Sequence, residues 1–165
     1  MVTIRPFRAT DQAAARALIE EGLGEHFGCI DRNANPDLVD IAASYSGGSG
    51  AFFVAEVDGK VVGTTGVLVA GQVGRLVRVA VARDQRRAGV ASALLKHITD
   101  FAARAGVAEL IAYTQPEWPD ATAFYRSHGF TPYGRDEIDI HLRRTVEPDA
   151  VGRCSGPVRA EAGQP

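Results

Sequence analysis

Cysteine is almost absent from this chain. Only Cys29 and Cys154 occur in 165 residues, too few for a disulfide framework and in no spacing that a metal site uses. Cys154 falls in a stretch that reads as a tail, so both are expected as free thiols in a reducing compartment. Long apolar runs are also missing. No segment approaches the ~20 residues that cross a bilayer, and no leader-like stretch precedes the first strand. The expectation is therefore a cytoplasmic protein with no membrane partner. Neither sign of charge is in excess. The formal net charge is −2, which argues against a nucleic-acid partner. Two phosphate loops are absent as well. There is no Gly-Lys-Ser/Thr, so this is not a nucleotide-hydrolysing P-loop. The three-glycine dinucleotide fingerprint is missing too. Glu109 lies near the start of a strand, whereas a ribose-binding carboxylate belongs at a strand's end.

What is present suits one soluble globular domain. Hydrophobic residues make up 45% and charged residues 23%, the ordinary balance for a chain that buries a sizeable core. The domain is expected over residues 1–146. Residues 147–165 lack periodicity and read as a disordered tail.

Val2–Phe7 predicts a short strand. Thr10 and Asp11 suit the cap and first turn of a helix carrying Ala14, Leu18 and Ile19 up to Gly22. Residues 23–35 are polar and glycine-punctuated, the first stretch resembling a binding loop. Asn35-Pro36 opens a second predicted helix with Leu38, Ile41 and Tyr45. Ala51–Val57 and Lys60–Val69 flank Asp58-Gly59, a strong hairpin signal, and a loop at Gly71–Gly74 follows. Val107–Thr114 reads as a strand, Pro119 to Gly129 as a short helix, and Tyr133 with Ile138–Arg143 as a last hairpin.

The chain is organised around Leu76–Ile98. Leu76 to Val81 reads as a strand rich in β-branched residues, with Val77, Val79 and Val81 on one face and Leu76, Arg78 and Ala80 on the other. From Gly89 the period becomes helical, with Val90, Leu94, Leu95, Ile98 and Ala102 on one stripe and Gly106 placed to end it. Between them lies Arg86-Arg87-Ala88-Gly89-Val90-Ala91. A helix's first turn carries unpaired N–H groups and the positive end of the dipole, a cradle for phosphate oxygens. Gly89 lets backbone approach a ligand, Ala91 and Ser92 are small, and Arg86 and Arg87 supply forked donors. The same residues also fit an ordinary strand–helix corner with solvated arginines.

This stretch resembles the acetyl-CoA signature of the GNAT superfamily of N-acetyltransferases. That signature is Gln/Arg-x-x-Gly-x-Gly/Ala, here Arg86-x-x-Gly89-x-Ala91, after the strand residues Val79-Ala80-Val81. A second family element follows, Ala121-x-x-Phe124-Tyr125-x-x-x-Gly129-Phe130. The resemblance is closest over residues 75–131. It implies an α/β (α+β) fold with a GNAT-like mixed central sheet, in the order β-α-α-β-β-β-α-β-α-β-β. It also implies splayed central strands, with the cofactor's pantetheine arm in the wedge. The co-substrate implied is acetyl-CoA, held by Val79, Ala80, Val81, Arg86, Arg87, Ala88, Gly89, Val90, Ala91 and Ser92, with no metal. The partner implied is a small-molecule amine or amino acid, acetylated by direct transfer through a tetrahedral intermediate. A homodimer stays open.

Acetyl transfer to an amine needs a neutral amine, a polarised thioester carbonyl and a proton or hydrogen bond for the leaving thiolate. Backbone N–H groups of Val79 to Val81 could polarise the carbonyl if the strand bulges. Tyr125 is the candidate general acid, with Phe124 expected in the core and Tyr125 facing the cleft. Many relatives carry a glutamate at the start of the organising strand, where this chain has Arg75 and Arg78. His26 is the preferred base, an imidazole being suited to proton transfer near pH ~6.5. Glu25, Asp31, Asp136, Glu137, His141 and a water relay stay open. Glu25, Asp31 and Asp136 could attract a cationic amine, and Arg32 or Arg135 could hold a carboxylate. The expected pocket lies between residues 23–35 and Tyr133–Ile138. Trp118, Tyr113 and Gln115 are expected to shape the cleft wall, with Trp118 packing or covering the cofactor arm. Two other readings remain: an acyl-CoA-binding sensor or partner module without turnover, and a protein N-terminal or lysine acetyltransferase.

Overall fold

The computed structural model describes residues 1–48 and 50–148. Cys154 and nearly all of the expected tail lie outside them. The elements are β1 (Thr3–Pro6), α1 (Gln12–Phe27), α2 (Ile41–Ser44), β2 (Gly50–Val57), β3 (Lys60–Ala70), β4 (Val73–Val81), α3 (Val90–Arg104), β5 (Glu109–Thr114), α4 (Pro119–Ser127), β6 (Thr131–Arg135) and β7 (Ile140–Thr145). This is the expected order. The strands form one mixed sheet, β1-β2-β3-β4-β5-β7-β6, in which β4 and β5 are the parallel pair.

Alternation on the pleat sends consecutive residues to opposite layers. On β2, Phe52 and Val54 pack with Ala15 and Ile19 of α1 and with Tyr45. Phe53 joins Leu95 and Ile98 of α3, while Ala55 meets Val90 and Leu94. The sheet is thus sandwiched between α1 and α3. The predicted stripe of α3 is its buried face: Val90, Leu94, Leu95, Ile98 and Ala102. The β2–β3 hairpin turns through Asp58 and Gly59 with φ of 50° and 76°, the positive pair that matches strand twist.

Three expectations are corrected. First, α1 does not stop at Gly22 but runs to Phe27. A helical glycine costs about 1 kcal/mol, and burial of Leu18 and Ile19 outweighs it. The helix ends where Gly28 turns left-handed (φ 72°) and its N–H bonds Gly24 O at 2.9 Å. Glu25 and His26 therefore sit on a helix rather than in a loop. Second, the helix expected after Pro36 breaks in two. A 3-10 turn over Pro36–Leu38 is followed by one turn of α2, because Asp40 caps Ala43 N–H at 2.9 Å. Third, β4 does not alternate throughout. Arg78 has φ 54°, and the register with β3 slips between Thr64 and Gly66. That bulge inverts the faces beyond it. Val77 and Ala80 share the α1 layer, whereas Leu76 and Val81 pack in the α3 layer.

Candidate active site

β4 and β5 pair at only three positions, Val73 with Glu109, Gly74 with Leu110 and Arg75 with Ile111. Beyond Arg75 the strands part, leaving one edge of Leu76–Val81 without a strand partner. The wedge so opened is a cleft of about 330 Å³, lined by Leu76 to Val81, Tyr113, Thr114, Trp118, Ala121 and Tyr125, with His26 of α1.

The bulge aims a donor into this wedge. Thr64 Oγ1 donates to Arg78 O at 2.9 Å. In a trans peptide the C=O and the following N–H point in opposite directions, so the Val79 N–H is directed away from Thr64. Thr114 Oγ1, also from the lining, is buried without a hydrogen-bond partner. The wedge thus carries polar groups with capacity to spare, as a polar ligand requires.

Tyr125 is 8% exposed, its ring against Phe130. Its hydroxyl makes no hydrogen bond to a described residue, and burial pushes the phenol up to about 12. The division between the two aromatics differs from expectation. Tyr125 is the more buried residue and borders the wedge, while Phe124 borders a neighbouring cleft and packs on His128. His26 lies over Trp118, ring centroids 4.2 Å apart, with Phe27 at the edge of the same indole. Trp118 thus packs against α1 and also forms part of the wedge wall.

The second cleft, about 680 Å³, is built on the turn into α3. Arg86, Arg87, Gly89, Val90, Ala91 and Ser92 line it opposite α4, and Ala88 does not. The first α3 bond is Ala93 N–H to Gly89 O at 3.0 Å, so the preceding N–H groups remain for a ligand. Arg87 and Gly89 are left-handed, with φ of 66° and 83°, a geometry that gathers successive N–H groups around an anion. A Cβ placed on Gly89 would meet nothing within 4 Å. This turn therefore fits a diphosphate brought close to backbone.

The two arginines differ. Arg86 is committed, bonding Val81 O through Nε at 3.2 Å and Glu25 through Nη1 at 2.9 Å. Arg87 has no acidic partner among the described residues. Glu25 also pairs with Arg83 at 2.9 Å, and Arg86 foremost, then Arg83, hold its carboxyl near 2. Glu25 therefore braces the turn. Sequence reasoning missed His128. Its Nδ1 lies 2.8 Å from Phe124 O, which only accepts, so the neutral ring carries its proton there. Nε2 then accepts from Ser92 Oγ at 3.0 Å, tying α4 to the first turn of α3.

The other expected acceptor residues do not converge. Asp31 caps Asn33 N–H at 2.9 Å. Asp136 accepts from Ile138 N, Asp139 N and His141 Nε2, and those contacts, the backbone ones foremost, hold it near 2. Arg135 is exposed on β6. None of these three lines any of the clefts described, and the Arg32 side chain lies outside the description. A third cleft, about 430 Å³, lies along the first half of β4 and is lined by Asp37, Ser44, Tyr45, Leu68, Arg75 to Arg78 and Tyr113. Asp37 is its fixed point. Arg78 donates Nε to Oδ2 at 2.9 Å and Nη2 to Oδ1 at 2.6 Å, and Tyr45 donates to Oδ2 at 2.8 Å. Burial alone would raise this carboxyl, but Arg78 and Tyr45 outweigh it and keep it below the usual range. No sequence signal marks this triad, which joins residues 41 apart through the fold.

The clefts adjoin. The turn cleft and the wedge share Val81, Arg86 and Ala121. The wedge and the third cleft share Leu76, Val77, Arg78 and Tyr113. A path therefore runs along β4 from the α3 turn, past the Val79 amide and Tyr125, to Arg75.

Comparison with known proteins follows the same segment. A family model described as acetyltransferase (GNAT) domain matches residues 48–132. Human N-acetyltransferase 8 is 34% identical over 121 residues, 69% of this chain and 53% of that protein. The probable N-acetyltransferase camello of Xenopus tropicalis is 36% identical over 110 residues, 64% of this chain and 50% of that protein. The chain thus spans about half the length of these curated relatives. Among solved structures, a GNAT-family acetyltransferase from Staphylococcus aureus Mu50 superposes with a TM-score of 0.82 at 20% identity, over 89% of this chain and all of the other. The PaiA N-acetyltransferase from Thermoplasma acidophilum, solved in complex with coenzyme A, gives 0.75 at 14% identity, over 88% and 99%. At such identities the structures speak for the fold alone. Among the described residues, no His, Cys, Asp and Glu cluster could hold a metal ion, and no helix is long and apolar enough to cross a membrane.

Proposed function

This chain belongs to the GNAT acetyltransferase family, and from that premise we propose that it moves an acetyl group from acetyl-CoA to the primary amine of a small molecule or amino acid. The observation that carries the reading is the junction of two clefts: the turn at Arg87–Ser92, with Arg87 and Gly89 left-handed, opens into a wedge lined by Val79 and Tyr125.

When bound, acetyl-CoA supplies an activated acyl carbonyl and a thiol leaving group. The chain supplies the rest. The N–H groups ahead of Ala93, with Arg87, take the diphosphate. Val79 N–H offers a fixed donor to a carbonyl oxygen in the wedge, one that needs no rearrangement as charge develops. Tyr125, a neutral phenol on the wedge wall, would meet the leaving sulfur there. Complete proton transfer from a phenol at about 12 to a thiolate of pKa ~8.5 would be uphill by roughly 5 kcal/mol. The first role of Tyr125 as general acid is therefore a hydrogen bond that strengthens with thiolate charge. His26, which lines the wedge and lies on Trp118, would accept the amine's proton directly or through water.

Release of coenzyme-A thiol, measured on a panel of primary amines with the protein's own two cysteines as blank, tests the proposal. Amine-dependent release, with acetylated product identified by mass spectrometry, is the expected result. Acetyl-CoA binding without release on any amine would instead make the chain an acyl-CoA-binding module.

A further inference from the structure

The third cleft contains one charge too many. Asp37 and Arg78 cancel within their bidentate pair, and both Asp37 oxygens accept from Arg78, with Tyr45 adding a bond to Oδ2. Arg75 is left over. It has no acidic partner among the described residues, and its guanidinium lies over the Tyr113 ring, 5.6 Å from the centroid. A ring beneath a guanidinium holds its plane while leaving the N–H edge free. The cleft therefore presents one oriented, unspent fork of donors. Through Leu76, Val77, Arg78 and Tyr113 it is continuous with the wedge.

We propose that this cleft receives a carboxylate carried by the acceptor, that Arg75 binds it, and that the substrates are accordingly small amino acids rather than simple amines. This rests on the acetyl-transfer reading above. Carboxylate fits better than phosphate, because the lining has one free guanidinium and neither a glycine turn nor a helix N-terminus. The location also explains how two arginines are accommodated beside a reaction that consumes an amine. Arg78 is neutralised by Asp37, and the Arg75 charge is met by the substrate's own anion, so a zwitterionic acceptor enters without net repulsion.

Matched pairs test the assignment: L-leucine with isoamylamine, and 6-aminohexanoate with pentylamine. Each pair differs by one carboxylate. The kcat/KM ratio of acid to amine is measured for the unmodified protein, Arg75→Ala, Arg75→Lys and Arg75→Glu, with thermal unfolding as folding control. Comparing ratios between variants cancels the different basicities of the amines. The unmodified protein should favour the acid of at least one pair. Arg75→Ala should cut that preference roughly 10-fold or more, mainly through KM, as expected for losing a charge-assisted contact. Arg75→Lys should retain part of it and Arg75→Glu should reverse it. Turnover of amines with no preference for either acid would overturn the assignment while leaving acetyl transfer intact, as would a preference that survives in Arg75→Ala and Arg75→Glu. Should Arg75→Ala fail to fold, the unmodified protein's preference and the Arg75→Lys ratio decide by the same criteria. Absence of turnover on every amine would overturn acetyl transfer itself, and this inference with it.

Discussion

β2 and β3 pair at eight positions, through one bulge between Ala55 and Glu56, whereas β4 and β5 separate after three. Both seams lie in one sheet, and each has nearby an arginine in ion-pair contact: Arg5 with two carboxylates and Arg78 with one. At the closed end, Arg5 bonds Asp11 and Glu56 at 2.7 Å each, fastening β1 to β2 and to the approach to α1. Asp11 also accepts Arg8 N–H at 2.8 Å and is 5% exposed. At the open end, Arg78 grips Asp37 beside a bulge, and the strand edge it supports faces a cleft. The difference lies in what surrounds the same chemistry. The Arg5 cluster closes on itself and adds only to stability. The Arg78 cluster holds a strained residue in place, so that Val79 N–H and Tyr125 can face a void without the strands collapsing together.

The sharpest way to break this comparison is at Tyr125. Its hydroxyl makes no hydrogen bond to a described residue, so Tyr125→Phe should leave stability nearly unchanged. Turnover should nevertheless fall roughly 100-fold, about 2.7 kcal/mol, in kcat rather than in acceptor KM. Because the phenol lies near 12, no alkaline limb between pH 6 and 10 should belong to it. Single-turnover rates of both proteins across that range check both statements. Equal rates would remove Tyr125 from the mechanism.

The closed end should behave in the opposite way. Asp11→Asn should cost about 1–2 kcal/mol of stability, the loss of one carboxylate from a partly buried arginine cluster that keeps Glu56, and should leave acceptor preference alone. The Asp11 carboxyl is held below its usual range first by Arg5, with Arg8 N–H assisting and burial opposing. A depressed folded pKa contributes stability that is present above the unfolded value near ~3.9 and is lost as pH falls through the folded value. The stability gap between the two proteins should therefore be widest near neutral pH and shrink in acid. Denaturant unfolding at pH 7 and below pH 4 measures it, and an equal gap at both would contradict this account of the clamp.

How much of this was legible depended on how far each feature reaches along the chain. The α3 stripe and the Asp58-Gly59 hairpin are local, set by spacing and by backbone preference, and both stand where the sequence placed them. The turn from Arg86 into the start of α3 at Val90 was readable for the same reason. The end of α1 was not, because its packing on the sheet overrides the weak signal of Gly22. Face assignment on β4 failed at Arg78, a residue with no sequence mark of a left-handed conformation. Its φ is imposed by Thr64 from β3 and by Asp37, 41 residues away. Glu25, Asp31 and Asp136 look available in sequence, whereas the fold engages each carboxylate with a partner of its own.

The central claim is that binding and chemistry belong to the split seam and the turn beyond it, and backbone amide shifts during titration with acetyl-CoA test it most directly. The account predicts the largest ¹H–¹⁵N changes at Val79 and at Gly89 to Ser92, with Trp118 and Tyr125 following, while Val54 and Val67 of the closed seam stay still. Saturable binding whose shifts concentrate on β1 to β3 and spare Val79 and Gly89 would contradict it.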